Sequence, residues 1–243
     1  MPSLARPKAI FIDLDDTMIS AYAKVHEHWT EVLEAQQHHL EGHGIETVRE
    51  SIIEATRHFW SDPDRHRTGR LRIEETIKDI IADGLARIGL ERPKLARHLR
   101  DEFESHRWDR MHLFPGVHET LDSIKASGIG LAVVTNGPAR SQRPKLERFD
   151  LEHRFDHVLI EGEFGVGKPD PKVYQHLLAT FGADPSEAWM VGDHLEWEVA
   201  APQRHGITGI WCNVHGHDVP DSHAHVEPDH VIDGLQELID LLA

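Results

Sequence analysis

The stretch Lys8-Ala9-Ile10-Phe11-Ile12-Asp13-Leu14-Asp15-Asp16-Thr17 decides the fold, because it joins a strand to a cluster of carboxylates. Its apolar run is short and contains β-branched and aromatic residues, which is typical of a strand buried on both faces of a sheet. Asp13 and Asp15 would then follow the carboxyl end of that strand, where open α/β sheets bind ligands. Two carboxylates this close repel each other, and a hard cation such as Mg²⁺ would relieve the repulsion. The alternative is an ordinary acidic turn in which Asp16 or Thr17 caps a helix.

Further along the chain, short apolar runs alternate with helix-like segments. The runs that predict strands are 129–135, 158–160, 188–191, 207–211 and 230–232. The clearest helical segments between and after them are 117–124, 171–181, 196–205 and a closing helix that reaches Leu242. Strands that alternate with helices at this spacing indicate a parallel, doubly wound sheet. We therefore predict an α/β fold.

Directly after the first strand the pattern changes to helical, and no convincing strand is visible there. Apolar residues recur at three- and four-residue spacings in four segments, 22–40, 48–59, 73–88 and 95–103. We predict an all-helical cap domain over residues 19–112, inserted into a core domain of residues 1–18 and 113–243. The alternative is that these helices belong to a single core. Tyr22 and Trp29 lie at helical spacing, so we expect them to pack inside the cap rather than line a substrate entrance.

Composition excludes several classes of partner. Acidic residues outnumber basic ones by 42 to 26, which gives a formal charge of −16. A protein this acidic is poorly suited to bind nucleic acid or anionic membranes. No apolar run approaches the length needed to cross a bilayer, and the first residues lack the apolar segment of a signal peptide. With Cys212 as the single cysteine, we expect a cytoplasmic protein.

Polar side chains follow several of the predicted strands at their carboxyl ends. Thr135 and Asn136 follow the second strand, Asp193 follows the fourth, and a nearby loop carries Lys168. Because parallel strands present their carboxyl ends along one edge, we expect these residues to meet the aspartates that follow the first strand. Carboxylates, a hydroxyl, an amide and an ammonium group together suit a phosphoryl group bound with a cation.

Four motifs occur in an order that identifies a family. They are Asp13-Leu14-Asp15-Asp16-Thr17, Val134-Thr135-Asn136-Gly137, Gly167-Lys168-Pro169-Asp170-Pro171 and Val191-Gly192-Asp193-His194-Leu195-Glu196-Trp197-Glu198. In these motifs the chain resembles hydrolases of the haloacid dehalogenase superfamily that carry a helical cap after the first motif. The resemblance implies a Rossmann-like core and a Mg²⁺-dependent phosphatase that hydrolyses a small phosphorylated metabolite through an aspartyl-phosphate.

The same resemblance implies roles for the carboxylates. Asp13 would be the nucleophile, and Asp15 the general acid and base. The metal would be held by a carboxylate oxygen of Asp13, the main-chain carbonyl of Asp15, and Asp193. Glu198 stands where the family often has Asp, and we expect it either to lie behind the metal ligands and contact them or to reach the metal through a water molecule. We expect His194 to be an ordinary loop residue.

The resemblance also implies a phosphate-binding set that consists of Thr135, Asn136 and Lys168. The ammonium group of Lys168 would neutralise substrate charge, and the hydroxyl of Thr135 would bind phosphoryl oxygens with nearby main-chain amides. Three polar residues that follow the second motif either meet the substrate or form a solvated helix start: Gln142, Arg143 and Lys145.

Two further patterns are weaker. Residues 162–168 match the Gly-x-x-x-x-Gly-Lys part of a P-loop, but Pro169 stands where the Mg²⁺-binding Ser or Thr is required, so we reject that interpretation. Two His-x-His pairs, at His215 and His217 and at His223 and His225, could bind a transition metal; a polar surface loop is the preferred interpretation.

Three other functions compete with the phosphatase. A 2-haloacid dehalogenase also uses a nucleophilic aspartate, but it needs neither a metal nor an acid for a halide leaving group, so Asp15 and Asp193 would have no purpose. A phosphomutase would transfer the phosphoryl group to another hydroxyl. A catalytically idle protein that binds a phosphorylated ligand would not need the nucleophile, acid, lysine and metal carboxylate together.

Overall fold

The computed structural model describes residues 5–22 and 24–242, and the chain forms two compact units. One unit contains the described residues up to Ser20 together with those from His112 onward, and it carries the β-sheets. The other unit comprises Ala21–Met111 and is helical. Over the described part of the chain, no helix combines the length and the apolar character needed to span a bilayer.

A six-stranded parallel sheet forms the centre of the first unit. The strands in chain order are β1 (Ala9–Ile12), β2 (Ile19–Ser20), β3 (His112–Leu113), β4 (Gly130–Thr135), β5 (His157–Ile160), β6 (Ala188–Gly192), β7 (Thr208–Cys212) and β8 (His230–Ile232). The order across the sheet is β5-β4-β1-β6-β7-β8, with every pair parallel. The predicted α/β fold with a parallel sheet is therefore confirmed. The chain winds outward from β1 in both directions, so the topological switch point lies beside β1.

The helices divide between the two units. The helical unit contains α1 (Val25–Ala35), α2 (Ile45–Trp60), α3 (Pro63–Gly69), α4 (Ile73–Arg87) and α5 (Pro93–Arg110). The sheet unit contains α6 (Val117–Ala126), α7 (Ala139–Arg148), α8 (Glu161–Phe164), α9 (Pro171–Phe181), α10 (Ala201–Gln203) and α11 (Leu238–Leu241).

Helix α9 shows how local sequence sets an element of the core. Asp170 caps its first turn by accepting a hydrogen bond from the main-chain N–H of Lys172, and Pro171 occupies the first helical position. The helix ends at Phe181, and Gly182 caps it with a φ of 56° that glycine adopts without strain. Its apolar face, with Tyr174 fully buried, packs in one cluster with side chains of β1, β4 and β6. The predicted helix over 171–181 is confirmed.

The helical unit has an apolar core of its own. Trp29 lies in that core and stacks on Phe103 with ring centroids 4.2 Å apart, so its predicted packing role is confirmed. The same prediction is wrong for Tyr22, which is 46% exposed and lies under the guanidinium of Arg107. The physical reason is that α1 begins only at Val25, so Tyr22 lies outside the helical repeat.

Three segments differ from the sequence prediction. Strand β2 (Ile19–Ser20), which pairs antiparallel with β3, falls in the stretch predicted to lack strands. Two residues are too few to show a strand period, so the pattern could not reveal it. Helix α3 (Pro63–Gly69) was not predicted either. The predicted helix 196–205 is a π-helix over Leu195–Ala200 followed by the short α10. π-helical turns often occur at functional sites.

Candidate active site

The register of the sheet brings the predicted motifs to one edge. Ile12, the last residue of β1, pairs with Val133 on one side and with Val191 on the other. Asp13, which follows Ile12, donates its main-chain N–H to the carbonyl of Val191 at 2.9 Å. The residues after β4 and β6 therefore flank Asp13 at the carboxyl edge of the sheet, beside the switch point.

Lys168 lies at the centre of this group, and only 1% of it is exposed. Its ammonium nitrogen is 2.5 Å from Oδ1 of Asp13, 2.8 Å from Oε1 of Glu198 and 2.7 Å from the carbonyl oxygen of Val134. These three contacts match the three N–H donors of an ammonium group. Burial lowers the pKa of Lys168, but the charges of Asp13 and Glu198 outweigh burial and leave that pKa raised. Lys168 therefore stays positively charged.

Three carboxylates near Lys168 repel one another; Asp13 and Glu198 are buried, and Asp193 is half-buried. Burial raises the pKa of Asp13, and the charge of Glu198 adds to the rise while Lys168 opposes it. Burial also raises the pKa of Asp193, and Glu198 and Asp13 add to it. Two carboxyl groups contact the one ammonium group and a third lies near them, and this excess of negative charge fits a divalent cation.

Side chains alone do not complete a metal site. Among residues 5–22 and 24–242, no three His, Cys, Asp or Glu side chains are grouped closely enough to hold an ion. Mg²⁺ is commonly bound in proteins by one or two carboxylates and keeps several waters beside the substrate phosphate. Asp13 and Asp193, which lie close enough to influence each other's charge, supply two carboxylates of the kind that this pattern uses.

Glu198 is buried, and each of its two carboxylate oxygens has a partner. Its Oε1 contacts Lys168, and its Oε2 accepts a hydrogen bond from the main-chain N–H of His194 at 2.8 Å. Gly192 makes room for it, because a Cβ at Gly192 would lie 2.1 Å from Cγ of Glu198.

His194 is more than a loop residue, since its Nδ1 accepts from the main-chain N–H of Glu196 at 3.2 Å and caps the π-helix.

The two polar residues at the end of β4, Thr135 and Asn136, have different surroundings. Asn136 clamps the main chain of Lys168: its Nδ2 donates to the Lys168 carbonyl and its Oδ1 accepts from the Lys168 N–H, both at 2.8 Å. The side chain of Asn136 thus orients the lysine. The hydroxyl of Thr135 is buried and accepts from Nε2 of Gln142 at 2.5 Å.

Sequence reasoning missed Glu161, whose Oε2 accepts from the main-chain N–H of Gly137 at 2.8 Å and holds the loop after β4.

Asp15 meets two residues of helix α7. Nζ of Lys145 lies 2.7 Å from each carboxylate oxygen of Asp15, and Nε2 of Gln142 donates to Oδ2 of Asp15 at 3.0 Å. Gln142 and Lys145 are three residues apart and therefore share a face of the helix. Arg143 lies on the outer side and binds the exposed Glu163. Two of the three residues after the second motif thus meet the site, and the third is solvated.

The histidine-rich segment is an exposed stretch with one 3₁₀ turn at Asp221–His223. His215 reaches back to within 3.6 Å of Oδ1 of Asp16. The P-loop-like segment forms helix α8 at its start and then delivers Lys168 to Asp13, so its glycines do not form a phosphate-binding loop before a long helix.

The fold and the strand-end residues together define the class of α/β proteins that carry two aspartates after the first strand and a buried lysine beside them. The model of the haloacid dehalogenase-like hydrolase family matches residues 7–206, and the chain belongs to that family. The resemblance drawn from the four motifs is confirmed.

Two relatives in sequence carry names of phosphatases. The chain is 36% identical over 154 residues to the phosphoserine phosphatase of Thermus thermophilus, an alignment that covers 63% of this chain and 56% of that protein. It is 26% identical over 242 residues to the glyceraldehyde 3-phosphate phosphatase of Pyrococcus furiosus, covering 98% of this chain and 94% of the relative.

Solved structures share the fold over nearly the whole chain. The HAD-hydrolase YfnB from Bacillus subtilis, whose structure is described as bound to magnesium, has a TM-score of 0.73 at 18% identity and covers 98% of this chain and 99% of its own. The 2-haloacid dehalogenase of Pseudomonas syringae pv. Tomato has a TM-score of 0.62 at 28% identity, with 97% of this chain and 98% of that chain covered.

Proposed function

We propose that this protein is a Mg²⁺-dependent phosphatase that hydrolyses a small phosphorylated metabolite through an aspartyl-phosphate on Asp13. The observation that carries the proposal is the buried ammonium of Lys168, which contacts Asp13 at 2.5 Å and Glu198 at 2.8 Å. A buried cation beside the nucleophile candidate suits a dianionic substrate, whose charge must be neutralised before a carboxylate can attack it. The phosphatase names of the sequence relatives support the same reaction.

In this proposal Asp13 attacks phosphorus and forms the aspartyl-phosphate, while Asp15 gives a proton to the leaving oxygen. Water then attacks the phosphorus and passes a proton to Asp15, and the bond between Asp13 and phosphorus breaks to release phosphate. The Thr135 hydroxyl would bind phosphoryl oxygens. Lys168, whose three donors are engaged by its neighbours, would offset the negative charge of those oxygens through its own charge. Mg²⁺, held by Asp13, the main-chain carbonyl of Asp15 and Asp193, would supply further positive charge to those oxygens.

For Glu198 and Asn136 we propose roles that act through Lys168. Both oxygens of Glu198 are already engaged, one by Lys168 and one by the main chain of His194. Glu198 would therefore fix the ammonium group, and any effect on the metal would be indirect. Asn136 would fix the main chain of the same lysine.

The buried free thiol of Cys212 supports a cytoplasmic location as part of this proposal.

A 2-haloacid dehalogenase is the second candidate, because a structural neighbour at 28% identity carries that name. Displacement of halide needs no proton donor, whereas in this protein Asp15 is held by an ammonium group and an amide. The arrangement therefore favours phosphoryl chemistry. Release of chloride from 2-chloropropionate is the measurement that separates the two reactions.

The test measures hydrolysis of p-nitrophenyl phosphate with Mg²⁺ and after chelation by EDTA. We expect turnover that disappears with EDTA and returns with Mg²⁺. Asp13→Asn should abolish turnover with an unchanged circular dichroism spectrum, and Asp221→Asn, on the exposed loop, is the matched control with full activity. Turnover by Asp13→Asn, or turnover that survives chelation, would overturn the proposal. A panel that includes phosphoserine and glyceraldehyde 3-phosphate would then identify the substrate.

A further inference from the structure

Lys145 is a buried cation that none of the four motifs includes. It lies on helix α7, only 3% of it is exposed, and it contacts both carboxylate oxygens of Asp15 at 2.7 Å. Removing an ammonium group from water is costly unless a partner compensates closely. Arg143, two residues earlier on the same helix, binds Glu163 at the surface instead. The contact with Asp15 therefore accounts for the burial of Lys145, whereas a cation on the same helix without such a buried partner lies at the surface.

Gln142 makes the same contact from one turn earlier on the helix. Its Nε2 is 3.0 Å from Oδ2 of Asp15 and 2.5 Å from the hydroxyl of Thr135. The amide must present its nitrogen to Asp15, because a carboxylate oxygen can only accept. Gln142 thus links the carboxylate of Asp15 to the hydroxyl of Thr135 at the end of β4. The two helix residues together fix the orientation of Asp15.

We propose that Lys145, with Gln142, is a positioning residue that holds the carboxylate of Asp15 for the second half of the reaction. The inference rests on the proposed function. In that step the water oxygen forms a bond to phosphorus, its proton passes to Asp15, and the electron pair of the broken P–O bond returns to Asp13. A carboxylate offers about four acceptor positions, so the contacts to Lys145 and Gln142 are compatible with accepting that proton.

Only the second step depends on Asp15 when the leaving group needs no proton, because the attacking water must still lose a proton to that carboxylate. The contacts of Lys145 and Gln142 contribute by fixing where the carboxylate lies. A displacement of about 1 Å in a catalytic group can cost about 100-fold in rate. Without Lys145, Asp15 would lose both contacts to the ammonium nitrogen and therefore part of what fixes its position.

The experiment uses Lys145→Met, which keeps the unbranched chain up to the ε position and removes the ammonium group, with p-nitrophenyl phosphate as the substrate. Nitrophenolate leaves without a proton donor, so formation of the aspartyl-phosphate does not depend on Asp15. We expect a rapid burst of about one nitrophenolate per active site, followed by a steady rate about 100-fold below wild type. Because only the second step slows, kcat and KM should fall together and kcat/KM should stay within about threefold.

Arg143→Met is the matched control, since it removes a cation from the same helix at the surface, and it should behave as wild type. Gln142→Leu should give the same burst with a smaller loss, and Lys145→Arg should recover part of the steady rate. If Lys145→Met does not fold, as judged by thermal unfolding, Gln142→Leu carries the same expectation. A fall in kcat/KM equal to the fall in kcat, without a burst, overturns the positioning role. Absence of Mg²⁺-dependent turnover in the wild type would instead overturn the proposed function.

Discussion

Replacement of Gly192 by alanine would test the packing that holds the lysine cluster together. A Cβ at Gly192 would lie 2.1 Å from Cγ of Glu198. An ordinary carbon contact is about 3.5 Å, so Glu198 would have to retreat by roughly 1.4 Å. Its two oxygens hold Lys168 and the main chain of His194, both at 2.8 Å, and a shift of that size would break these contacts.

The expected cost combines two effects. Overpacking of a rigid site costs about 1–3 kcal/mol. Loss of a hydrogen bond to a charged group costs about 1.5–3 kcal/mol. We therefore expect Gly192→Ala to lower the free energy of unfolding by about 4 kcal/mol, or the melting temperature by about 8–16 °C for a chain of this size. Phosphatase turnover should fall as well, because Lys168 loses a partner.

Thermal unfolding followed by circular dichroism measures the first effect, and hydrolysis of p-nitrophenyl phosphate measures the second. Gly44→Ala is the control, because its Cβ would lie 3.8 Å from Oγ1 of Thr47 and it should cost under about 1 kcal/mol. In the double variant Gly192→Ala with Glu198→Ala, Cγ is gone, so the two losses should not add. Strict additivity, or a Gly192→Ala protein as stable as the wild type, would refute the reasoning.

Three further predictions concern other parts of the chain. Gly84→Ala should lower the free energy of unfolding by about 2 kcal/mol, because the new Cβ would lie 2.8 Å from the main chain of Ile52 and push α4 away from α2. Hydrogen exchange should become faster in these two helices. Asn136→Ala should cost about 2 kcal/mol in unfolding experiments and reduce turnover, since two hydrogen bonds to Lys168 are lost. Burial and the nearby His176 lower the pKa of His157, so the folded protein binds fewer protons than the unfolded chain. Stability should therefore be full above about pH 6.5 and fall below it, and His157→Phe should flatten the melting temperature between about pH 7.5 and pH 5.5.

Much of the fold could be predicted from the sequence because the patterns that set it are local. The apolar run before Asp13 shows a buried strand, and Asp170, Pro171 and Gly182 mark the two ends of α9. The same local logic failed where elements are very short or irregular. Strand β2 has only two residues, too few to show the two-residue alternation of a strand. The π-helix after Asp193 contains the same kinds of residue as an α-helix, so the sequence does not distinguish the two.

The sequence by itself determined which chemical groups are present, in which order, and that parallel strands would carry them to one edge of a sheet. Only the tertiary structure decided which group contacts which. Lys168 meets Asp13 across 155 positions of sequence, and Lys145 meets Asp15 across 130. Such partners depend on strand register and on the face that each helix presents, and both are set by packing between segments that are remote along the chain. That is why Lys145 and Arg143, two residues apart and alike in charge, have opposite surroundings.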